Sequence, residues 1–414
     1  MKRPLLPWLG HLDFVVPVLV LSLFGVAMIY SAGVLNIPSP VTQGLWIRQA
    51  VILTGSIVAL MVVSRIPVRW WEWTAIPVYI GAVGVRAGTR VIGTGAGTAE
   101  GVKSFLDLPG FRFQPAEAAK VATVLALARL LATRESSPQY LRELLVPAII
   151  VGIPLALVVL QPDLGTAMAF VAIFFAMIYW ARTPWPLIVF AASPGLALFL
   201  SFNTIAWSVG FIVLLIGLYL YRYRLYLVES LSVIVANLAA GAIAQPLIWN
   251  RVLNEFQRNR LLVFLNPEMD PQGDGWNLVQ SKVAVGSGGI LGKGFTDGTQ
   301  KRLNFLPEQH TDFIFSVVGE EFGFVGTSLT LLLFGYLFFR MIQIAEDSRH
   351  LFAGLFVFGI LGIWMTHAVV NIGMTIGVVP ITGIPLPFIS YGGSFLLMSW
   401  LAAGMVVAMA SDKP

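Results

Sequence analysis

Long apolar runs alternate with short polar intervals along the whole chain. A helix crosses a bilayer with about 20 residues. Apolar segments of that order recur near 13–33, 47–64, 70–86, 115–132, 144–160, 165–181, 184–202, 207–221, 228–249, 313–339, 351–376 and 391–410. The pattern predicts twelve spans and an all-α polytopic membrane protein. Pro and Gly interrupt the seventh to ninth spans. The longest polar interval, about 250–312, keeps apolar clusters such as Leu261 to Leu265, and is expected to pack back on the membrane surface as an ordered cap. No soluble domain, low-complexity segment or internal repeat is visible. Residues 1–414 are expected to form a single integral membrane domain, with 250–312 as its large loop.

Composition agrees with a lipid environment. Apolar residues make up 57% of the chain and charged residues 11%, against about 25% charged in soluble domains. The N-terminus, MKRPLLPWLGHLDF, puts a basic head before an apolar run, as a signal peptide does. The run is long and no A-x-A-like site follows, so a retained first span is expected. The absence of Cys excludes thiol catalysis and Cys-based metal sites. His11, His310, His350 and His367 show no HExxH or HxH spacing, which argues against zinc. The net charge of +5 is spread over short loops and does not suggest nucleic-acid binding. It does orient the chain. With a cytoplasmic N-terminus, every cytoplasmic connection carries a basic residue: Lys2 and Arg3, Arg65 and Arg69, Arg134 and Arg142, Arg182, Arg222 and Arg224, Arg340 and Arg349, and Lys413. Both termini are then cytoplasmic and the 250–312 loop is exterior.

Five stretches could carry chemistry. In FQPAEAAKVA, Phe113 to Ala122, Pro115 suits a first helical turn, and Glu117 and Lys120 share one face. Ionisable residues at membrane depth are rare and by default functional, although a structural ion pair is the equal alternative. In FLNPEMDPQGDGWNLVQSK, Phe264 to Lys282, Asp270-Pro271 starts a turn that Gly273 and Gly275 loosen. Glu268, Asp270 and Asp274 there can belong to a solvated connector, a cation site or a catalytic loop. The EF-hand spacing is absent. GSGGILGKG, Gly286 to Gly294, imitates a phosphate loop, but Ser287 and Gly294 stand where Gly and Ser or Thr should be. Flexible backbone near a substrate, or a plain turn, remains. In FLPEQHTDFIFSVVGEEFG, Phe305 to Gly323, the acids Glu308, Asp312, Glu320 and Glu321 gather with His310. They should line a wet cavity or pair with Lys and Arg of the preceding loop, since burial unpaired is unfavourable. A helix dipole alone accounts for Asp312. In NIGMTIGVVPITGIPLPFISYGGS, Asn371 to Ser394, three prolines and five glycines break the backbone, which suggests a re-entrant element beside a groove.

Together, LQPDLGTA at 160–167, QPAEAAK at 114–120, DPQGDGWNLVQSKVAVGSGGILGKG at 270–294, FLPEQHTDFIF at 305–315 and the 371–394 stretch resemble the SEDS family (shape, elongation, division and sporulation). The methionine of NIGM and the wording ITGIPLPF resemble its elongation branch. Similarity covers most of the chain apart from roughly 184–249. The resemblance implies a peptidoglycan glycosyltransferase of the bacterial inner membrane that polymerises lipid II outside the cytoplasm. It implies a class B penicillin-binding protein, a transpeptidase, as partner. The family's essential Asp falls on Asp270 and its membrane Glu and Lys on Glu117 and Lys120. Two departures stand out. Ala116 replaces the usual Ser, and 184–249 holds three expected spans where the family has one. An added hairpin keeps parity, so Asp270 stays exterior.

On this reading a sugar 4-hydroxyl attacks the anomeric carbon of a second substrate and expels a lipid diphosphate. Asp270 is the expected general base. The leaving group needs positive charge, from Lys120 or more weakly Arg258, Arg260 or Lys282. Glu117, Gln280, Ser281, His310, Asp312 and Ser390 complete the expected substrate-binding set. A divalent cation, Mg or Mn, can bridge the diphosphate, with Asp270 as a candidate ligand and Glu268 and Asp274 either solvated or helping to hold the ion. The rival readings are a flippase that moves lipid-linked precursor and a scaffold of a wall-synthesis complex. Dense polar motifs on one face favour the enzyme.

Overall fold

A computed structural model describes residues 6–36, 42–95, 103–108, 111–134, 136–161, 163–222, 225–244, 247, 249, 255–266, 270, 273–303, 305–306 and 308–412. Lys2, Arg3, Pro162, Arg224, Glu268, Pro271 and Lys413 lie outside the described residues, as do parts of the 250–312 loop. The helices are α1 (Leu12–Ala32), α2 (Leu45–Val63), α3 (Val68–Ile92), α4 (Pro115–Ala132), α5 (Leu145–Val159), α6 (Leu164–Trp180), α7 (Trp185–Leu200), α8 (Thr204–Leu220) and α9 (Leu227–Ala239). They continue with α10 (Glu255–Leu265), α11 (Asp274–Ser287), the single turn α12 (Thr299–Arg302), α13 (Ile314–Asp347), α14 (Leu351–Thr375) and α15 (Gly393–Ala410).

Among the described residues, seven helical segments are long and apolar enough to cross a membrane: 7–32, α2, α3, 141–159, α13, α14 and α15. Shorter apolar helices cover α6, α7, α8 and 227–243. Helix α4 completes the expected set and carries Glu117, Lys120 and Arg129. The protein is therefore an all-α polytopic membrane protein, with α3 and α13 running further than their apolar runs alone suggest.

Helix α14 sits at the centre, buried on nearly every side from Phe352 to Thr375, and packs on α4, α6 and α13. Apolarity all round a helix marks such an environment. Helices meet here through small residues, as expected where lipid removes the hydrophobic drive between them. A Cβ on Gly359 would meet Val124 and Met177, and one on Gly25 would fall 2.6 Å from the backbone of Ile389. The opposite faces, such as Val51, Val58 and Val62 of α2, are exposed and suit acyl chains.

Helices α7 to α9 occupy the region expected to hold the added hairpin. They have a small core of their own, with Leu187, Phe190, Leu214, Leu218, Leu225 and Val233. Asn237 donates to Ser193 Oγ at 2.8 Å across it, and Asn203 caps α8.

A small antiparallel sheet departs from the helical expectation. Strands β1 (Thr94–Gly95), β2 (Lys103–Leu108) and β3 (Phe111–Phe113) pair in the order β1-β2-β3, with Asp107 opposite Arg112. The aromatic residues Phe105, Phe111 and Phe113 favour extended backbone in these short strands. The sheet pins the start of α4: Ser394 Oγ donates to Arg112 O at 2.7 Å and accepts from Gln114 N at 2.9 Å.

Candidate functional site

Helices α4, α6, α13 and α15 begin, and α1, α3 and α14 end, at one end of the bundle. The motifs singled out in the sequence converge there. Pro115 opens α4, where its fixed φ suits the first turn. Glu117 and Lys120 follow on one face, both buried, with Nζ 2.9 Å from Glu117 Oε2. Lys120 Nζ is also 2.9 Å from His367 Nε2 on α14. His367 Nδ1 lies 3.1 Å from Pro385 O. A carbonyl can only accept, so Nδ1 carries the proton and Nε2 accepts from the ammonium. Phe395 stacks on the imidazole at 4.6 Å and faces the ammonium at 5.3 Å. Arg86 of α3 and Asp163, the cap of α6, lie within electrostatic reach of Glu117.

The 376–392 segment forms the wall between this buried chain of charges and the loop side. It is irregular backbone covered by protein, as such backbone at depth must be. Asn371 Nδ2 donates to Asp312 O at 2.9 Å and Ile384 O at 2.8 Å. Ser390 Oγ donates to Thr311 O at 2.6 Å and accepts from Leu386 N at 2.8 Å, and Tyr391 N donates to His310 O at 2.9 Å. These bonds lock 308–312 against 384–391. His310 is partly buried, and burial holds its imidazole below the ordinary histidine value although Glu308 pulls the other way.

On the loop side, Asp312 and Arg260 both lie over Gly383, where a Cβ would sit 3.3 Å from Asp312 Oδ2 and 3.7 Å from Arg260 Nη1. The Lys282 stem crosses Gly377, where a Cβ would fall 2.0 Å from Lys282 Cε. Both positions have positive φ, which favours glycine there. The Asp270 carboxylate folds over Gly273, whose added Cβ would lie 2.3 Å from Oδ2. Asp270, Arg258 and Gln280 are half-buried. Ser281 is fully buried and inward: its hydroxyl donates to Thr375 O at 2.7 Å and meets Ser316 Oγ at 2.6 Å. Ser281 and Ser390 are thus engaged with protein groups. Among the described residues no three His, Asp or Glu side chains converge as a metal cage. A cation held at Asp270 would take its other ligands from phosphate oxygens of the substrate.

Glu320 and Glu321 answer a different need. Glu320 Oε1 accepts from Lys293 Nζ at 2.8 Å, Thr299 Oγ1 at 3.1 Å and Gln300 N at 3.0 Å. Glu321 pairs with Lys301 and accepts from Ser31 Oγ at 2.6 Å. Of the two expected alternatives, a wet cavity or pairing with the preceding loop, pairing is found. Gly323 breaks α13 at φ 60, ψ −154. Such a break leaves carbonyls and amides without intrahelical partners. The glycine-rich stretch supplies them. Lys293 N and Gly294 N donate to Glu320 O and Glu321 O at 3.0 Å, while Phe324 N and Val325 N donate to Gly289 O and Ile290 O at 2.9 and 3.1 Å. GSGGILGKG is thus a backbone splice, and its glycines permit the approach: a Cβ on Gly292 would lie 2.0 Å from Glu321 O.

Sequence reasoning missed His367, Asp163 and Arg86 as members of the cluster. Each is an ionisable residue in or beside an apolar run, and that signal could have found them.

The cell cycle protein family of FtsW, RodA and SpoVE matches residues 11–231 and 209–413, and the chain belongs to this family. It is similar to the peptidoglycan glycosyltransferase RodA of Treponema pallidum, at 33% identity over 94% of this chain and 95% of that one. It is likewise similar to the peptidoglycan glycosyltransferase MrdB of Escherichia coli K12, at 33% identity over 97% and 94%. A solved chain from a peptidoglycan synthase complex that coordinates polymerization and crosslinking superposes with a TM-score of 0.69, at 29% identity over 96% of this chain and 97% of that one.

Proposed function

We propose that this protein is a peptidoglycan glycosyltransferase that polymerises lipid II into glycan strands during cell elongation and rod-shape maintenance. The observation that carries the reading is the shared 376–392 wall. Gly377 and Gly383 receive Lys282, Arg260 and Asp312 on the loop side, and Pro385 O holds His367 and through it Lys120 and Glu117. A half-buried carboxylate, Asp270, stands in the same loop region.

The sugar 4-hydroxyl of one substrate attacks the anomeric carbon of the other. The new C–O bond forms as the bond from that carbon to the diphosphate oxygen breaks, and the electron pair leaves on the diphosphate. The hydroxyl proton passes to Asp270. Such base catalysis contributes about 10²–10⁴-fold, roughly 3–5.5 kcal/mol of barrier. Glu117, Lys120 and His367 hold a fixed field beneath the wall. Arg258, Arg260, Gln280, Lys282, His310 and Asp312 line the substrate side.

The basic connections Arg65 and Arg69, Arg134 and Arg142, Arg182, Arg222, and Arg340 and Arg349 all fall at the bundle end opposite these residues by helix direction. The short turns at the site end, 161–164 and 203–206, carry no Lys or Arg, and this contrast between short connections supports cytoplasmic termini and an extracytoplasmic active site in the bacterial inner membrane. The related synthase complex supports a class B penicillin-binding protein as transpeptidase partner.

The test uses purified protein in nanodiscs with labelled lipid II, with and without a transpeptidase partner and a chelator. Glycan ladders are expected. Movement of lipid II across vesicle bilayers without polymer would replace the enzyme reading by a flippase.

A further inference from the structure

Arg86 lies in the site-end half of α3, fully buried. Among the described residues its Nε, Nη1 and Nη2 have no hydrogen-bond partner. Buried guanidinium groups are as a rule satisfied, because desolvating an unpaired charge is strongly unfavourable. Two carboxylates are in electrostatic reach, Asp163 and Glu117, and both are engaged elsewhere. Asp163 caps α6, accepting from Thr166 N at 3.0 Å and Thr166 Oγ1 at 2.7 Å. Glu117 Oε2 accepts from Lys120. Lys120, the cation that the sequence offers to an anionic leaving group, is itself committed to Glu117 and His367. Among the described residues, the cation of this cluster with all its side-chain donors open is therefore Arg86.

We propose that Arg86 is a substrate-binding residue that takes the diphosphate of the lipid-linked sugar donor. This rests on the glycosyltransferase reading of the site. A diphosphate presents oxygen pairs that match the planar fork of a guanidinium, with shorter and stronger bonds than neutral donors make. In the transfer step the electron pair of the breaking bond settles on the diphosphate oxygens. A preoriented cation in a water-poor site stabilises that charge without reorganisation. Arg86 is closed off in this structure, and α3, which carries it, is the most peripheral of the elements around it. Of its residues only Val68, Ala75, Arg86 and Thr89 are buried. Its remaining surface faces outward, so reaching Arg86 requires α3 to shift against α4, and an arriving anion neutralises the charge this uncovers.

The experiment compares wild type, R86Q and R86K in nanodiscs with the transpeptidase partner. It measures steady-state polymerisation of lipid II and the shift in thermal midpoint caused by inorganic pyrophosphate. For R86Q the KM for lipid II should rise at least tenfold, the pyrophosphate shift should vanish, and the ligand-free midpoint should not fall. R86K should raise KM several-fold and keep part of the shift, and it carries the test if R86Q does not fold. A wild-type KM with an undiminished shift in the variants would overturn the assignment, as would a wild-type protein that pyrophosphate does not shift. If wild type makes no polymer while pyrophosphate still shifts wild type and not R86Q, the polymerase reading falls and the anion site stands.

Discussion

Two buried charge clusters occupy one end of the bundle, and they are built differently. Around the break in α13, Glu320 and Glu321 meet Lys293 and Lys301, and Ser31, Thr299 and the backbone of Gln300 supply further donors. Among the described residues, Glu320 Oε2 and the side-chain oxygen of Gln300 lack a partner there, while every ammonium is paired. Around the head of α4, Glu117, Lys120 and His367 form a connected chain, while the guanidinium of Arg86 beside them has no hydrogen-bond partner among the described residues. A nearly saturated cluster holds backbone in place. A cluster with an open cation has its remaining bonds to make with something other than the protein. Burial and charge look alike in the two, and the tally of satisfied donors is what separates a fastener from a site.

Mutation should separate them further. The largest effect belongs to the site. Asp270→Ala should cut glycan synthesis about 10²–10⁴-fold and leave the thermal midpoint unchanged. Polymer gels beside melting curves check both, and an active variant would remove Asp270 from the base role. In the fastener the loss should be of stability. Lys301→Met leaves Glu321 buried without its cation and should destabilise the protein by about 3–5 kcal/mol. The double variant Lys301→Met with Glu321→Leu should recover much of that. Equal melting of Lys301→Met and wild type would show that the pair fastens nothing. A smaller cost attaches to Gly323→Ala, which puts a side chain at φ 60 with its Cβ 2.4 Å from Gly292 N. About 1–3 kcal/mol is expected, read by the same melts.

The smallest effect is a pH dependence. The folded state holds His310 below its ordinary value of 6.5 through burial. The unfolded chain therefore binds its proton first as pH falls, and stability should decline as pH drops through about 6.5. His310→Gln should flatten that part of the stability curve, and an unchanged slope would dismiss His310 as its source.

Local parts of this architecture were legible in the sequence. Spacing by three places Glu117 and Lys120 together, apolar length marks the helices, and the need for counter-charges anticipates lysine partners for Glu320 and Glu321. Interactions between distant segments were not. His367 lies 247 residues from Lys120, and no local pattern joins them. The glycine-rich stretch reads as a turn because its function is to supply backbone hydrogen bonds to another helix, which side-chain motifs do not encode. The sheet was hidden by strands too short to show a period.

The splice at Gly323 has a mechanical consequence. Four backbone hydrogen bonds tie 289–294 to the two halves of α13, so the loop and the helix move as a single lever. A protein that grips the loop on one side of the membrane would swing a rod whose far tip, Asp347, lies on the other.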